Sequence, residues 1–139
     1  MKPRAPRVLI VDDEPQVCRL LTDALSGLRL DCQSVGSVAE ATPLLLRGDF
    51  DAAIVDMVLP DGAGLDLVEM IGRHGLRTRA LCITGVASTA SQRAVRRAGA
   101  IGLYEKPFDL FELVETVRRA VEAPAANAGE QPVTKGRKT

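Results

Sequence analysis

The chain has 139 residues, with 18 basic and 18 acidic side chains and therefore no formal net charge at pH 7. This is the length of one domain, which can bury roughly two-thirds of its unfolded surface, and the balanced charge excludes a general binder of nucleic acids. Hydrophobic residues make up 46% of the chain, yet no uninterrupted apolar stretch approaches the roughly 18 residues of a membrane span. The amino terminus also lacks the apolar region of a signal peptide, so we expect a cytoplasmic protein that does not associate with membranes.

The cysteines, Cys18, Cys32 and Cys82, are widely spaced along the chain and form no CxxC pair. This spacing argues against a disulfide framework and against a structural zinc site. We therefore expect reduced thiols that fill space in the interior rather than redox groups.

Short β-branched runs alternate along the chain with segments of helical periodicity. The β-branched runs predict strands at residues 7–11, 30–35, 52–56, 80–84 and 101–104. The segments between and after them predict helices at about 13–26, 37–48, 65–74, 88–98 and 109–122. A turn-rich segment, residues 59–64, is predicted to form a loop between the third strand and the third helix.

Two of the predicted helices begin with a capping box, formed by Ser37 with Glu40 and by Asp109 with Glu112. Pro43 lies past the first turn of the second helix, where it removes a backbone donor. We therefore expect this helix to be kinked or to begin later than its capping box indicates.

Strands that alternate with helices predict right-handed crossovers and a parallel sheet covered on both faces, which is a three-layer α/β/α sandwich. We assign residues 1–122 to this domain. Residues 123–139 have little to bury and are predicted to form a disordered tail. The tail has three basic residues and one acidic residue, a net charge of +2 that leaves −2 on the domain.

Polar side chains stand at the ends of four predicted strands: Asp12 with Asp13, Asp56, Thr84 and Lys106. The carboxyl ends of parallel strands meet at one edge, where open α/β sheets bind their ligands. Clustered carboxylates favour a hard divalent cation, and oxygen ligands without His or Cys suit Mg²⁺ better than Zn²⁺. The sequence therefore predicts a magnesium site at this edge.

The same groups are suited to a phosphoryl group. The Asp56 carboxylate can attack phosphorus to form an acyl phosphate if the incoming negative charge is neutralised. Mg²⁺ held by Asp12 or Asp13 together with Asp56 would neutralise part of that charge, and Lys106 would pair with an oxygen that the metal leaves free. The Thr84 hydroxyl would donate to another oxygen, so Asp56, Thr84 and Lys106 are the candidate catalytic groups.

Residues 7–122 resemble the receiver domain of two-component response regulators, single-domain type. The resemblance rests on the Asp12-Asp13 pair, Asp56 with Leu59-Pro60 and Gly64, Thr84-Gly85, Ala98-Gly99-Ala100, and Lys106-Pro107-Phe108. It implies a flavodoxin-like (βα)5 doubly wound fold with a five-stranded parallel sheet of order 2-1-3-4-5. It also implies that the Val58 main-chain carbonyl is a further Mg²⁺ ligand and that a cis peptide bond precedes Pro107.

The resemblance implies a phosphoacceptor rather than an enzyme. Asp56 would receive a phosphoryl group from a histidine kinase or a histidine phosphotransfer protein. The signal would pass to a downstream protein through the surface of the fourth helix, fifth strand and fifth helix. We expect no direct binding to nucleic acid, and a monomer or a phosphorylation-dependent dimer.

The chain departs from the family pattern at three positions. Ala63 replaces the usual acid, and Gly62 is expected to loosen the loop. Leu103 stands where an aromatic residue is usual, and Tyr104 points to the opposite face of the strand. We therefore expect an aromatic switch to contribute little to signalling.

Several charged residues also have plain structural interpretations. Glu14 is interpreted as a helix N-terminal charge and His74 as a solvated residue at a helix end. A basic stripe on the fourth helix is either a solvated face or a partner contact, and it consists of Arg93, Arg96 and Arg97.

Three alternatives share part of this chemistry. The chain could be the receiver portion of a larger regulator cut at its linker, or a pseudo-receiver scaffold that works without phosphate. A phosphohydrolase of the haloacid dehalogenase type also uses an aspartyl phosphate, but it would need an acid at the position of Val58.

Overall fold

A computed structural model describes residues 4–122, so the predicted tail at 123–139 lies outside the described residues. In chain order the elements are β1 (Arg7–Val11), α1 (Pro15–Ser26), β2 (Asp31–Val35), α2 (Val38–Leu46), β3 (Ala52–Asp56), β4 (Val58–Leu59), β5 (Gly62–Ala63), α3 (Gly64–Arg73), β6 (Arg79–Thr84), α4 (Thr89–Arg97), β7 (Gly102–Glu105) and α5 (Leu110–Glu122). Within this range no helix is both long enough and apolar enough to cross a membrane.

The main sheet of the described region is parallel throughout and has the order β2-β1-β3-β6-β7. Because β4 and β5 pair only with each other, this is the predicted order 2-1-3-4-5, and the flavodoxin-like α/β fold is confirmed. All five strands begin and end within a residue of their predicted positions.

Alternate residues of the central strands enter two separate cores, because successive side chains of a strand point to opposite faces of the sheet. The core beside α2 and α3 includes Leu9, Val11, Ala53, Val55, Leu45 and Leu67. The core beside α1 and α5 includes Val8, Ile10, Ala52, Ile54, Leu21 and Leu113. Burial on both faces explains why these strands are continuously apolar, and it leaves polar side chains only at their ends.

Helix α2 begins where its cap indicates, so the expectation of a later start is wrong. The Ser37 hydroxyl accepts a hydrogen bond from the Glu40 amide at 3.1 Å, and the helix continues through Pro43. The Glu40 carboxylate accepts from the Gly36 amide at 2.8 Å, one residue before the position expected in a capping box. The cap therefore sets the start of the helix, and Pro43 does not interrupt it.

An antiparallel hairpin replaces the irregular loop predicted between β3 and α3. In this hairpin, formed by β4 and β5, Val58 pairs with Ala63 and Leu59 pairs with Gly62. Leu59 is buried and joins the core beside α2 and α3. The segment that follows Asp56 is therefore shaped by strand pairing and by one buried anchor.

Ion pairs join the strands at the amino edge of the sheet, which is the edge opposite the predicted site. Arg7 lies 3.0 Å from Asp49 and 3.5 Å from Asp31. Its amide donates to Asp51, which also lies 3.3 Å from Arg77. These contacts link the amino ends of neighbouring strands.

Candidate functional site

Three carboxylates within the described range meet at the carboxyl edge of the sheet. Asp12 follows β1, Asp56 ends β3, and both are buried, whereas Asp13 is exposed. One oxygen from each of them lies within 4.8 Å of the other two. The structure thus brings together the acids that the sequence placed at two strand ends.

The two oxygens of Asp12 have different surroundings. Oδ1 accepts a hydrogen bond from the Glu14 amide at 2.8 Å. Oδ2 is buried and, among the described residues, has no hydrogen-bond partner, although Lys106 Nζ lies 3.1 Å away as an ion pair. A buried acceptor without a directed donor is rare in proteins, and a bound cation would satisfy it.

Burial is the largest influence on the pKa of Asp12 and raises it above its ordinary value. The hydrogen bond from the Glu14 amide and the attraction of Lys106 oppose this shift, whereas repulsion by Asp56 adds to it. The carboxylates are thus crowded in a way that favours additional positive charge.

Lys106 supplies the positive charge of the site. Its ammonium lies 2.6 Å from Glu14 Oε1 and 2.9 Å from Asp56 Oδ2. Burial by itself would lower the pKa of Lys106, but its hydrogen bonds to Glu14 and Asp56 and its ion pair with Asp12 raise it above its ordinary value. Lys106 is therefore an ammonium whose charge is shared among several carboxylates.

The backbone holds Lys106 in this position. Its amide donates to the Thr84 carbonyl at 2.7 Å, which joins the residue after β7 to the end of β6. The peptide bond between Lys106 and Pro107 is cis, as the resemblance implied.

Thr84 is buried at the end of β6, and its hydroxyl donates to the Val86 carbonyl at 3.2 Å. This hydrogen bond turns the hydroxyl toward the loop that follows its own strand. Among the described residues, apart from Gly85 and its two chain neighbours, no atom lies within 4 Å of the place where a side chain on Gly85 would begin, so the entrance beside Thr84 is open.

Val58 is tied directly to Asp56, since its amide donates to Asp56 Oδ1 at 3.0 Å. The amide and carbonyl of an extended residue lie on the same side of their strand, so the Val58 carbonyl also faces the edge that carries Asp56. The Val58 side chain points away and is 72% exposed.

Gly64 allows α3 to begin directly against the end of β3. A Cβ atom at this position would lie 2.0 Å from the Asp56 carbonyl oxygen and 2.8 Å from Val55 Cγ1. Any side chain would therefore displace the residue that carries the central carboxylate.

Sequence reasoning missed the contacts of two acidic residues. The sequence indicates only a helix charge for Glu14, but its carboxylate binds Lys106. Asp61 accepts hydrogen bonds from the amides of Val38 and Ala39 at 2.8 and 2.9 Å. The only available signals were the position of Glu14 beside the acid pair and the Asp-Gly turn that follows Pro60.

The family model for the response regulator receiver domain matches residues 8–118. The chain belongs to this family. The receiver is 41% identical over 127 residues to the response regulator protein PilR of Pseudomonas aeruginosa, a match that covers 91% of this chain and 28% of PilR. The chain spans about a quarter of the length of the first curated relatives that it matches.

Solved structures resemble the receiver closely. The signal receiver domain of a putative Luxo repressor protein from Vibrio parahaemolyticus has a TM-score of 0.81 at 24% identity, with 91% of this chain and 94% of that chain covered. The beryllofluoride-activated NtrC4 receiver domain dimer has a TM-score of 0.78 at 27% identity, with 84% and 96% covered. The first likeness establishes the fold alone.

Proposed function

We propose that this receiver accepts a phosphoryl group on Asp56 from the phosphohistidine of a kinase or of a phosphotransfer protein. The observation that carries the proposal is the 2.9 Å contact between Lys106 Nζ and Asp56 Oδ2, beside two further carboxylates. A nucleophilic carboxylate, a fixed cation and a cluster of oxygen ligands are together the requirements of acyl phosphate formation.

In the proposed transfer, an Asp56 carboxylate oxygen attacks phosphorus. The bond from phosphorus to the donor nitrogen breaks, and its electron pair stays on the imidazole. Lys106 pairs with a phosphoryl oxygen and so offsets the charge brought into the pocket. Thr84 releases the Val86 carbonyl, and its hydroxyl donates to a second phosphoryl oxygen.

Asp12, Asp13, Asp56 and the Val58 carbonyl would hold Mg²⁺ in this site. The bound ion would neutralise part of the phosphoryl charge and orient the phosphoryl oxygens. Asp12 Oδ2 supports this assignment, because among the described residues it has an ion-pair contact with Lys106 but no hydrogen-bond donor. A donor set made only of oxygen atoms fits Mg²⁺ rather than Zn²⁺.

The proposed signal leaves the site through the surface formed by α4, β7 and α5. Movement of Thr84 and Lys106 would displace elements that border this surface, and a downstream protein would bind there. The proposed receiver is a monomer or a phosphorylation-dependent dimer, and the beryllofluoride-activated dimer of the NtrC4 receiver domain supports the second state. Cys18, Cys32 and Cys82, all within the described range, are free thiols, which supports a reducing, cytoplasmic setting.

The test is incubation of the full chain with acetyl phosphate and Mg²⁺, followed by intact-mass measurement. The wild-type protein should gain one phosphoryl group, and Asp56→Asn should gain none because the amide is not a nucleophile. Asp66→Asn makes the same chemical change at an exposed position of α3 and serves as the matched control. Undiminished uptake by Asp56→Asn would overturn the assignment.

A second candidate is the same phosphoacceptor working as the receiver portion of a larger regulator. The observation that favours it is the coverage of the relatives, of which the chain matches about a quarter. Both candidates predict the same phosphoryl chemistry at Asp56, and they differ in the partner that reads the signal. In either case the receiver assists its own phosphorylation and dephosphorylation without turning over a separate substrate.

A further inference from the structure

Asp61 lies at the tip of the β4–β5 hairpin and binds the start of a distant helix. Its Oδ1 accepts from the Val38 amide at 2.8 Å, and its Oδ2 accepts from the Ala39 amide at 2.9 Å. These amides belong to the first turn of α2, which is 22 to 23 residues earlier in the chain. One exposed carboxylate therefore joins the hairpin to the helix.

The contact has the chemistry of a strong anchor. The first amides of a helix have no partner within the helix, and the helix dipole favours a negative charge at that end. Hydrogen bonds between a carboxylate and backbone amides are charge-assisted and shorter than neutral ones. The two bonds hold the pKa of Asp61 below its ordinary value.

The hairpin needs external anchors. Each of its strands has only two residues, and an isolated two-stranded hairpin is marginal in water. It is fixed at its base by Gly64, whose amide donates to the Met57 carbonyl at 2.9 Å, and along its length by buried Leu59. Asp61 is the anchor at its tip.

The hairpin also carries a backbone group of the site. Val58 lies on β4, and its amide donates to Asp56 Oδ1. In an extended residue the carbonyl lies on the same side as the amide, which directs the Val58 carbonyl toward the same edge. A shift of the hairpin tip would therefore be passed to Val58 through Pro60 of the turn and Leu59 of β4. Outer contacts of this kind orient the groups that hold a metal ion.

We infer that Asp61 is a positioning residue of the phosphoryl and metal site. It holds the hairpin against α2 and thereby keeps the Val58 carbonyl in place beside Asp56. This inference rests on the proposed function, in which that carbonyl is a ligand of Mg²⁺.

The experiment is titration of the full chain with Mg²⁺, in which NMR chemical shifts of the backbone amides of the site report binding. Asp61→Ala should weaken Mg²⁺ binding about tenfold, the lower end of the effect of losing an outer-shell partner. Ser37→Ala is the matched control, because it removes a hydrogen bond from the same helix terminus, at 3.1 Å, without touching the hairpin. We expect it to bind Mg²⁺ as the wild-type protein does.

Asp61→Asn tests whether the hydrogen bonds that hold the hairpin or the negative charge of Asp61 affects Mg²⁺ binding. It loses the negative charge but keeps one acceptor oxygen, so its loss of Mg²⁺ affinity should be smaller than that of Asp61→Ala. Amide hydrogen exchange at Val38 and Ala39 should rise in the order wild type, Asn, Ala. This variant also keeps the inference testable if the alanine variant does not fold.

Three results would overturn the inference. They are unchanged Mg²⁺ affinity in Asp61→Ala, equal losses in Asp61→Ala and Ser37→Ala, and equal losses in the Asn and Ala variants. The second result would assign the effect to helix stability, and the third would assign it to long-range charge. Absence of Mg²⁺ binding by the wild-type protein would overturn the proposed metal site as well, so the two failures are distinguishable.

Discussion

The Lys106 ammonium contacts three carboxylates of the described residues, one more than the buried pair of the site. Asp12 and Asp56 are buried beside it, but Glu14 approaches it most closely, at 2.6 Å, from a half-exposed position. A phosphoryl group on Asp56 would need the same ammonium and would carry negative charge toward Glu14. Glu14 is therefore a competitor for Lys106.

We predict that Glu14→Gln accelerates phosphoryl uptake from acetyl phosphate. Two like charges about 4 Å apart in water repel by about 1 kcal/mol, and relief of a repulsion of that order would change the rate roughly fivefold. The gain should shrink in 1 M salt, because an exposed charge is screened there. The measurement is the initial rate of uptake by intact mass at saturating Mg²⁺.

Glu69→Gln controls for the change in net charge, since Glu69 is exposed on α3. A rate equal to or below that of the wild-type protein would show that Glu14 holds Lys106 productively rather than competing for it.

The sequence predicts site residues that occupy strand ends and misses those defined by distant contacts. Asp12, Asp56 and Lys106 follow apolar runs, and the topology of a parallel sheet then brings them together. Glu14 meets a partner 92 residues away, and the partners of Asp61 are 22 and 23 residues away. Their charges are visible in the sequence, but the side-chain geometry that pairs them is a result of packing.

At the scale of elements, the junction of β3 with α3 shapes the site most directly. The helix begins at Gly64, whose amide donates to the Met57 carbonyl, and its first turn lies against the Asp56 main chain. The close approach leaves no volume for a side chain.

We predict that Gly64→Ala lowers the free energy of unfolding by about 1–3 kcal/mol, the usual cost of overpacking. Its Cβ atom would lie 2.0 Å from the Asp56 carbonyl oxygen, so phosphoryl uptake should fall as well. Urea denaturation and intact-mass measurement check the two effects.

Gly72→Ala is the control in the same helix, since its Cβ atom would lie 3.7 Å from the Ala98 carbonyl oxygen, which is an ordinary contact. Alanine is a better helix former than glycine, so this variant should be as stable as the wild-type protein or more stable. Equal stability of the two variants would contradict the role of Gly64.

Elements with a clear period were predictable, and the short hairpin was not. Strands of five residues show β-branched runs, and helices of nine or more show an apolar stripe, whereas strands of two residues carry no period. The Ser37 cap predicts the start of α2 correctly, and the later start that Pro43 suggested does not occur. The structure shows that the cap determines the first turn.

Across the whole molecule, β7 separates two environments. Leu103 packs with the core beside α2 and α3, and Tyr104 packs with the core beside α1 and α5. The Tyr104 hydroxyl is 2.6 Å from the Thr116 hydroxyl, which ties the ring to α5. The aromatic ring of β7 is thus held away from the face on which Leu103 lies.

We predict that the unphosphorylated receiver already samples its active arrangement. A flexible aliphatic side chain at Leu103 should fill the space near Thr84 less completely than an aromatic ring would. The inactive and active arrangements should therefore differ little in free energy. Relaxation-dispersion NMR should detect conformational exchange at residues 84–106, and beryllofluoride should shift the populations of the two arrangements. Residues of β2, at the far edge of the sheet, serve as the internal control.

Phosphorylation should then strengthen partner binding only modestly. A single rigid state without phosphate, combined with a very large gain in partner affinity on phosphorylation, would contradict this prediction.

The ion pairs of Arg7, Asp49, Asp51 and Arg77 lie at the amino edge of the sheet, one strand length from the site. A strand of five residues spans roughly 17 Å, which exceeds the screening length of about 8 Å at physiological ionic strength. Substitutions at the two ends therefore act nearly independently, and their free energies should add. Substitutions at the amino edge of the sheet can therefore change thermal stability without changing the site at the carboxyl edge. Selection for stability and selection for signalling can act separately on the two edges.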